Sequence, residues 1–185
     1  MSRIIVDSIR NSSAGSDGIT LSSDGKVAFP NTSTGKILQV VHVKKTDTFT
    51  SNSSTWADVT GLSASVTMSS ASNKVLVVTT LACLNGTTSG SISGVKRNST
   101  FIGLATGDYG SRQNGSGGAL YNSRSDVFRS FTHTTLDVPG SGTHTYQVAV
   151  FPRSYTVYVN RSETDSNSNS YVRGTSELLL MEVAA

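Results

Sequence analysis

The chain has 185 residues and a net charge of +3, enough length for one ordinary domain plus a small accessory element. Its hydrophobic content of 36% suits a single β-sandwich core, and the longest apolar run breaks well short of the ~20 residues of a spanning helix, which argues against membrane insertion. Only 15% of residues are charged and the basic ones are scattered, so the clustered basic face of a nucleic-acid binder is missing and no nucleic acid is expected as a partner.

In chain order, the opening Met1-Ser2-Arg3 followed by Ile4-Ile5-Val6 lacks the 7–15-residue apolar stretch of a secretion signal. Residues 1–29 read as a polar arm. Ile4, Val6 and Ile9 predict one short strand. Asp17-Gly18-Ile19-Thr20-Leu21 and Asp24-Gly25-Lys26-Val27-Ala28 repeat loosely, with a tight turn at Ser23-Asp24-Gly25. Ribbons this short are marginal in water. The arm is therefore expected to be held by other copies of itself or by a larger assembly, through Ile4, Val6, Ile9, Ile19, Leu21, Val27 and Phe29. Residues 30–36 form a linker, where Pro30 and small polar residues stop any strand.

Residues 37–185 read as the head, an antiparallel β-sandwich of jelly-roll type with eight or nine strands and no helix. Ser and Thr make up about 30% of the chain, which suits pleated surfaces. Ile37–Thr50 predicts a long strand with Ile37, Gln39, Val41, Val43 and Lys45 on one side and Leu38, Val40, His42 and Lys44 on the other. A short strand at Trp56–Thr60 precedes a separate one at 62–68. There Leu62, Ala64, Val66 and Met68 alternate with hydroxyl residues, the mark of a sheet with one wet face. Lys74–Leu84 is continuously apolar and belongs at the sandwich centre. Ser91–Arg97 and Phe101–Thr106 form a hairpin around Asn98-Ser99-Thr100. After a glycine-rich polar stretch, 107–126, strands resume at Val127–Val138 and Thr143–Phe151, with Pro139-Gly140-Ser141-Gly142 as a hairpin turn. Tyr155–Asn160, a polar loop at 161–170 and a closing strand Ser176–Val183 complete the chain.

Chemistry-bearing residues are sparse. Cys83 is the one cysteine, so no internal disulfide forms, and its apolar setting makes it a small core residue. His133 and His144 flank the predicted turn and face each other across that hairpin, but no third ligand is adjacent for a metal. Asp108 and Asp126 bracket the polar stretch as the least poor candidates for a glycosidase pair, and both read more simply as turn residues. No enzyme activity and no cofactor is expected. The candidates for recognition are Tyr109, Arg112, Tyr121 and Arg124 in the polar stretch and Arg161, with Tyr171 and Arg173, in the late loop. Tyrosine supplies flat apolar area with a hydroxyl, and arginine supplies a planar donor fork. Both fit a polysaccharide or protein receptor, and Tyr121 and Tyr171 read equally as anchors of their loop ends in the core.

The pattern Ile4-x-Val6-Asp7-x-Ile9, then Gly18-Ile19-Thr20-Leu21-x-x-Asp24-Gly25-x-Val27-x-Phe29-Pro30, resembles the opening of small virion and tail-fibre proteins of tailed phages, those of cyanobacteria included. Lys36-Ile37-Leu38-Gln39-Val40-Val41, Trp56-x-Asp58-Val59-Thr60-Gly61-Leu62, Ser69-Ser70-Ala71-Ser72-Asn73-Lys74-Val75 and the terminal Ser176–Val183 are similar to the sandwich that follows it there. The resemblance covers nearly the whole chain and its motifs specify turns and packing. It implies a homotrimeric fibre in the virion, assembled in the host cytoplasm, with the arm on other tail or capsid proteins and the heads outward. A capsid-attached decoration or head-fibre protein without receptor binding is the alternative, and a lectin-like carbohydrate-binding module is the third.

Overall fold

The computed structural model describes residues 8–9, 19–21, 23, 25, 27–28, 36–85, 90–107, 110–120, 129–153 and 155–185. The chain divides into two compact units, Met1–Gly35 and Lys36–Ala185.

In the first unit, β1 (Ser8–Ile9), β2 (Ile19–Leu21) and β3 (Val27–Ala28) form a small antiparallel sheet in the order β1-β2-β3. Ile9 pairs with Ile19, and Leu21 with Val27. Ile9, Leu21 and Val27 are exposed, as expected of strands too short to enclose anything.

The second unit is all β among the described residues, two antiparallel sheets packed face to face. Its strands are β4 (Ile37–Lys45), β5 (Phe49–Ser51), β6 (Ala57–Met68), β7 (Lys74–Asn85), β8 (Ser91–Arg97), β9 (Thr100–Ile102), β10 (Gly117–Leu120), β11 (Arg129–Asp137), β12 (Gly142–Phe151), β13 (Val157–Val159) and β14 (Ser176–Val183). One sheet runs β11-β7-β14-β4. In it β13 lies on the same edge of β7 as β14, because Val159 and Arg129 pair with Cys83 from opposite sides, and β5 pairs with β13. The other runs β8-β12-β6, with β9 and β10 sharing the free edge of β8.

Alternation decides which side chains meet. Val75, Val77 and Leu81 of β7 and Leu178 and Leu180 of β14 face Leu62 and Val66 of β6 and Tyr146, Val148 and Val150 of β12, all buried. Cys83 lies in this core, and burial pushes its thiol up to about 12, which leaves it an inert hydrophobe.

Several expected elements are corrected. The strand expected over Ile37–Thr50 breaks after Lys45, whose ammonium is buried and paired with Asp47 at 2.8 Å. The two strands expected around Gly61 are one, β6, because Gly61 takes φ +77° and lets the chain bulge without ending the ladder. The polar stretch 107–126 contains β10, paired with β8. The hairpin expected at 139–142 does not exist. β11 pairs with β7 and β12 with β6 and β8, so the connection crosses from one sheet to the other. Arg97, Asp137 and Tyr146 clamp this crossing: Arg97 Nη1 donates to both Asp137 oxygens at 2.7 and 2.8 Å, and Tyr146 Oη donates to Oδ2 at 2.8 Å. A part-buried carboxylate that accepts three hydrogen bonds is a satisfied one.

Candidate functional site

A row of the sandwich that leaves its sheet and returns to it builds a concavity. β13 ends at Val159, level with Cys83; β14 resumes at Glu177, level with Thr80; the chain between them makes an excursion over 160–175. Such a gap strands backbone groups of the neighbouring strands, and each needs a partner. Asn160, fully buried and at φ +61°, supplies most of them. Its Nδ2 donates to Lys45 O at 3.0 Å and Asp47 O at 2.9 Å, and its N–H donates to Ala82 O at 2.8 Å. Its Oδ1 accepts from Ser176 Oγ at 2.7 Å, and that oxygen accepts from Ala82 N at 3.0 Å. Asparagine suits the position because it tolerates the left-handed region and mimics a peptide group.

The excursion is closed at its neck by a bridge between Arg161 and Arg173 and by Gly174 N donating to Asn160 O at 3.0 Å. Arg161 lies over the Tyr158 ring at 5.1 Å, donates to Ser162 O and Glu163 O, and sits 3.7 Å from Asp165. Arg173 grips both Asp165 oxygens at 2.7 and 2.6 Å. Residues 165–168 and 171–173 line a cleft of about 250 Å³. Its wall offers serine hydroxyls, the Asn167 amide, the Tyr171 phenol and the part-exposed Arg173 fork. Asp165 is the one carboxylate in the lining. The cleft therefore presents hydrogen-bonding groups and an aromatic surface, without the paired carboxylates of a glycosidase.

The predicted recognition residues divide. Arg161 is at the root of this excursion and holds it, rather than facing out; Tyr171 and Arg173 line the cleft. Arg112 is exposed in the segment before β10. Tyr109, Tyr121 and Arg124 lie outside the described residues, as do Asp108 and Asp126. Of the arm residues, Ile9, Ile19, Leu21 and Val27 belong to the small sheet, and Ile4, Val6 and Phe29 lie outside the described residues. His133 and His144 are in opposite sheets and not across a hairpin. His144 accepts from Asn98 Nδ2 and donates to Ser141 O, both at 3.1 Å, whereas His133 Nε2 is buried without a partner. No three potential metal ligands cluster among the described residues.

Sequence reasoning missed an aromatic cluster on the outer face of the β8-β12-β6 sheet. Trp56 lies 4.5 Å from Phe101 and 5.8 Å from Phe151, ring centre to ring centre. Lys96, paired with Asp58, sits 5.3 Å from the Phe101 ring. The rings rest on bare backbone at Gly94, where a Cβ would come within 2.9 Å of Phe101. A glycine inside a strand was the available signal. No protein-family model matches the chain, and comparison with curated proteins gives no match.

Proposed function

We propose that this chain is a non-enzymatic structural protein of a tailed-phage particle, a short homotrimeric tail fibre that docks through its arm and touches the host surface with its head. The observation that carries the recognition part is the cleft at 165–173, a polar, aromatic-edged concavity on a loop fastened to a sandwich by Asn160 and Ser176. Binding groups on loops held by a rigid scaffold are the usual arrangement for recognition. Hydroxyl, amide, phenol and guanidinium groups together match the hydroxyl-rich surface of a polysaccharide. Three copies per fibre would raise weak single-site binding by avidity.

The sandwich fits this reading as a jelly roll. Taking β4 with β5, β9 with β10 and β13 with β14 as broken rows gives eight rows in chain order. The first pairs with the last, the third lies beside the last and the sixth beside the third. In the other sheet the order is second, seventh, fourth, fifth. Jelly rolls of this kind serve in virion and lectin domains.

The test is binding of the purified full chain to host cells and to their isolated surface polysaccharide. Tyr171→Ala and Arg173→Ala are each expected to weaken binding at least tenfold, leaving oligomeric state unchanged. Wild-type chain that binds neither cells nor polysaccharide would favour the decoration reading.

A further inference from the structure

We propose that the outer face of the β11-β7-β14-β4 sheet is the surface on which three heads associate about a three-fold axis parallel to the strands. The proposal rests on the homotrimer reading above and assigns its interface.

The registers place Leu136, Leu76, Met181 and Val40 in one cross-strand row on this face, with Val78 and Leu179 at the centre of the next. Val40 is 56% and Leu136 54% exposed, and Leu76, Val78, Leu179 and Met181 between them are only partly covered. Apolar side chains thus extend across all four strands of a sheet whose other face already fills the core. This explains why β7 reads as a continuous apolar run: it has two faces to bury, and the sandwich buries one. Toward the other end of the strands the rows turn polar. Glu177 there lies 3.4 Å from His42 and 3.5 Å from Lys44, so opposite charges already compensate one another within each copy.

Size and shape accommodate the three copies of that reading. Four strands about 4.8 Å apart and about 30 Å long give each copy a face of roughly 600 Å² to bury, shared between its two neighbours, where a standard two-body interface takes ~800 Å² from each partner. Three faces roughly 19 Å wide, closed as a triangular prism, each lie about 5–6 Å from the axis. Half the ~10 Å separation of packed sheets is about 5 Å. Side chains of ordinary length therefore meet on the axis without a void. In this arrangement the β4 edge of one copy meets the β11 edge of the next. Rotation preserves height along the axis, so Val40 of one copy meets Leu136 of its neighbour, since both occupy the same row.

The experiment uses the full chain. Wild type is expected to sediment as a trimer, and Val40→Glu with Leu136→Glu as a monomer with its far-UV β signature retained, both side chains being exposed in the protomer. A trimeric double variant overturns the face assignment and leaves the homotrimer reading standing; a monomeric wild type overturns both. Independently, Val40→Cys with Leu136→Cys is expected to give covalent trimers on mild oxidation, and each single variant none, because Cys83 is buried. Cross-linking of the double variant no greater than that of the singles overturns the proposal.

Discussion

The two outer faces of the head follow the same alternation yet end in opposite chemistry. On β6 and β12, Ser65 meets Thr145 and Thr67 meets Thr143, each pair of hydroxyl oxygens 2.8 Å apart, and water completes the surface. Farther along that sheet, the Trp56, Phe101 and Phe151 rings cover the backbone with their own small cluster. On β7, β14 and β4 the corresponding positions are Leu76, Val78, Leu179, Met181 and Val40. One face is finished within the chain and the other is not. Burial is therefore an uneven property of this sandwich: both inner faces are satisfied by each other, and only one outer face is satisfied by solvent.

The largest expected effect comes from giving the apolar face the chemistry of the other. Leu179→Thr with Met181→Thr should raise the protomer concentration needed for trimerisation at least a hundredfold, since each side chain that loses its burial forfeits roughly 1–1.5 kcal/mol and every protomer carries two. Sedimentation across a concentration series reads this, and the protomer should stay folded. On the finished face, Gly94→Ala should cost roughly 1–3 kcal/mol, because the new methyl displaces the Phe101 and Trp56 rings. Thermal unfolding followed by the fluorescence of the single tryptophan should show a midpoint roughly 2–10 °C lower, with oligomeric state unaltered.

A third expectation leaves both outer faces untouched. His133 is held below its ordinary 6.5 by burial, so the unfolded chain binds more protons than the folded one just below that pH, and stability falls as the solution is acidified. Glu182 behaves differently. Burial alone would raise its pKa, but hydrogen bonds from Asn73, Gln39 and Ser69 outweigh it and hold the group down to about 2. Its contribution is complete above 4.5 and is lost as the pH falls toward 2. Denaturation midpoints against pH should therefore lose their slope just below 6.5 in His133→Gln and below 4.5 in Glu182→Gln. The smallest effect belongs to Thr67→Val, which breaks one exposed hydroxyl pair and should change stability by no more than about 0.5 kcal/mol in urea unfolding.

Much of the fold was legible because alternation is local. Leu62, Ala64, Val66 and Met68 announced a half-wet strand, and the sides assigned to Val41, Val43 and Lys45 against Val40, His42 and Lys44 are the ones observed, whereas Ile37, expected with Val41, is exposed beyond a register shift. The turn at Asn98-Ser99 was legible too, and both residues take the left-handed conformation. The segment Pro139–Gly142 misled for an equally physical reason: its residues specify a sharp reversal, and a reversal serves a hairpin and a sheet-to-sheet crossing alike. The crossing shows only in the pairings of β11 with β7 and of β12 with β6 and β8, and its clamp brings in Arg97, 40 residues before Asp137.

The candidate site was half legible. Tyr171 and Arg173 stood out by residue type in the late loop, and they do line the cleft. Asn160 gave no signal, because its role is to satisfy Lys45, Asp47, Ala82 and Ser176, whose backbone and hydroxyl groups are stranded only once β4 and β7 stand on either side of the broken row.

Periodicity and composition, both readable residue by residue, determined that this chain folds as antiparallel strands with one apolar side facing inward. Tertiary structure alone decided which sheet each strand joined, where a row opened to make a cleft, and which outer face was left apolar. Those outcomes depend on pairings between residues distant in sequence, and no local pattern encodes them.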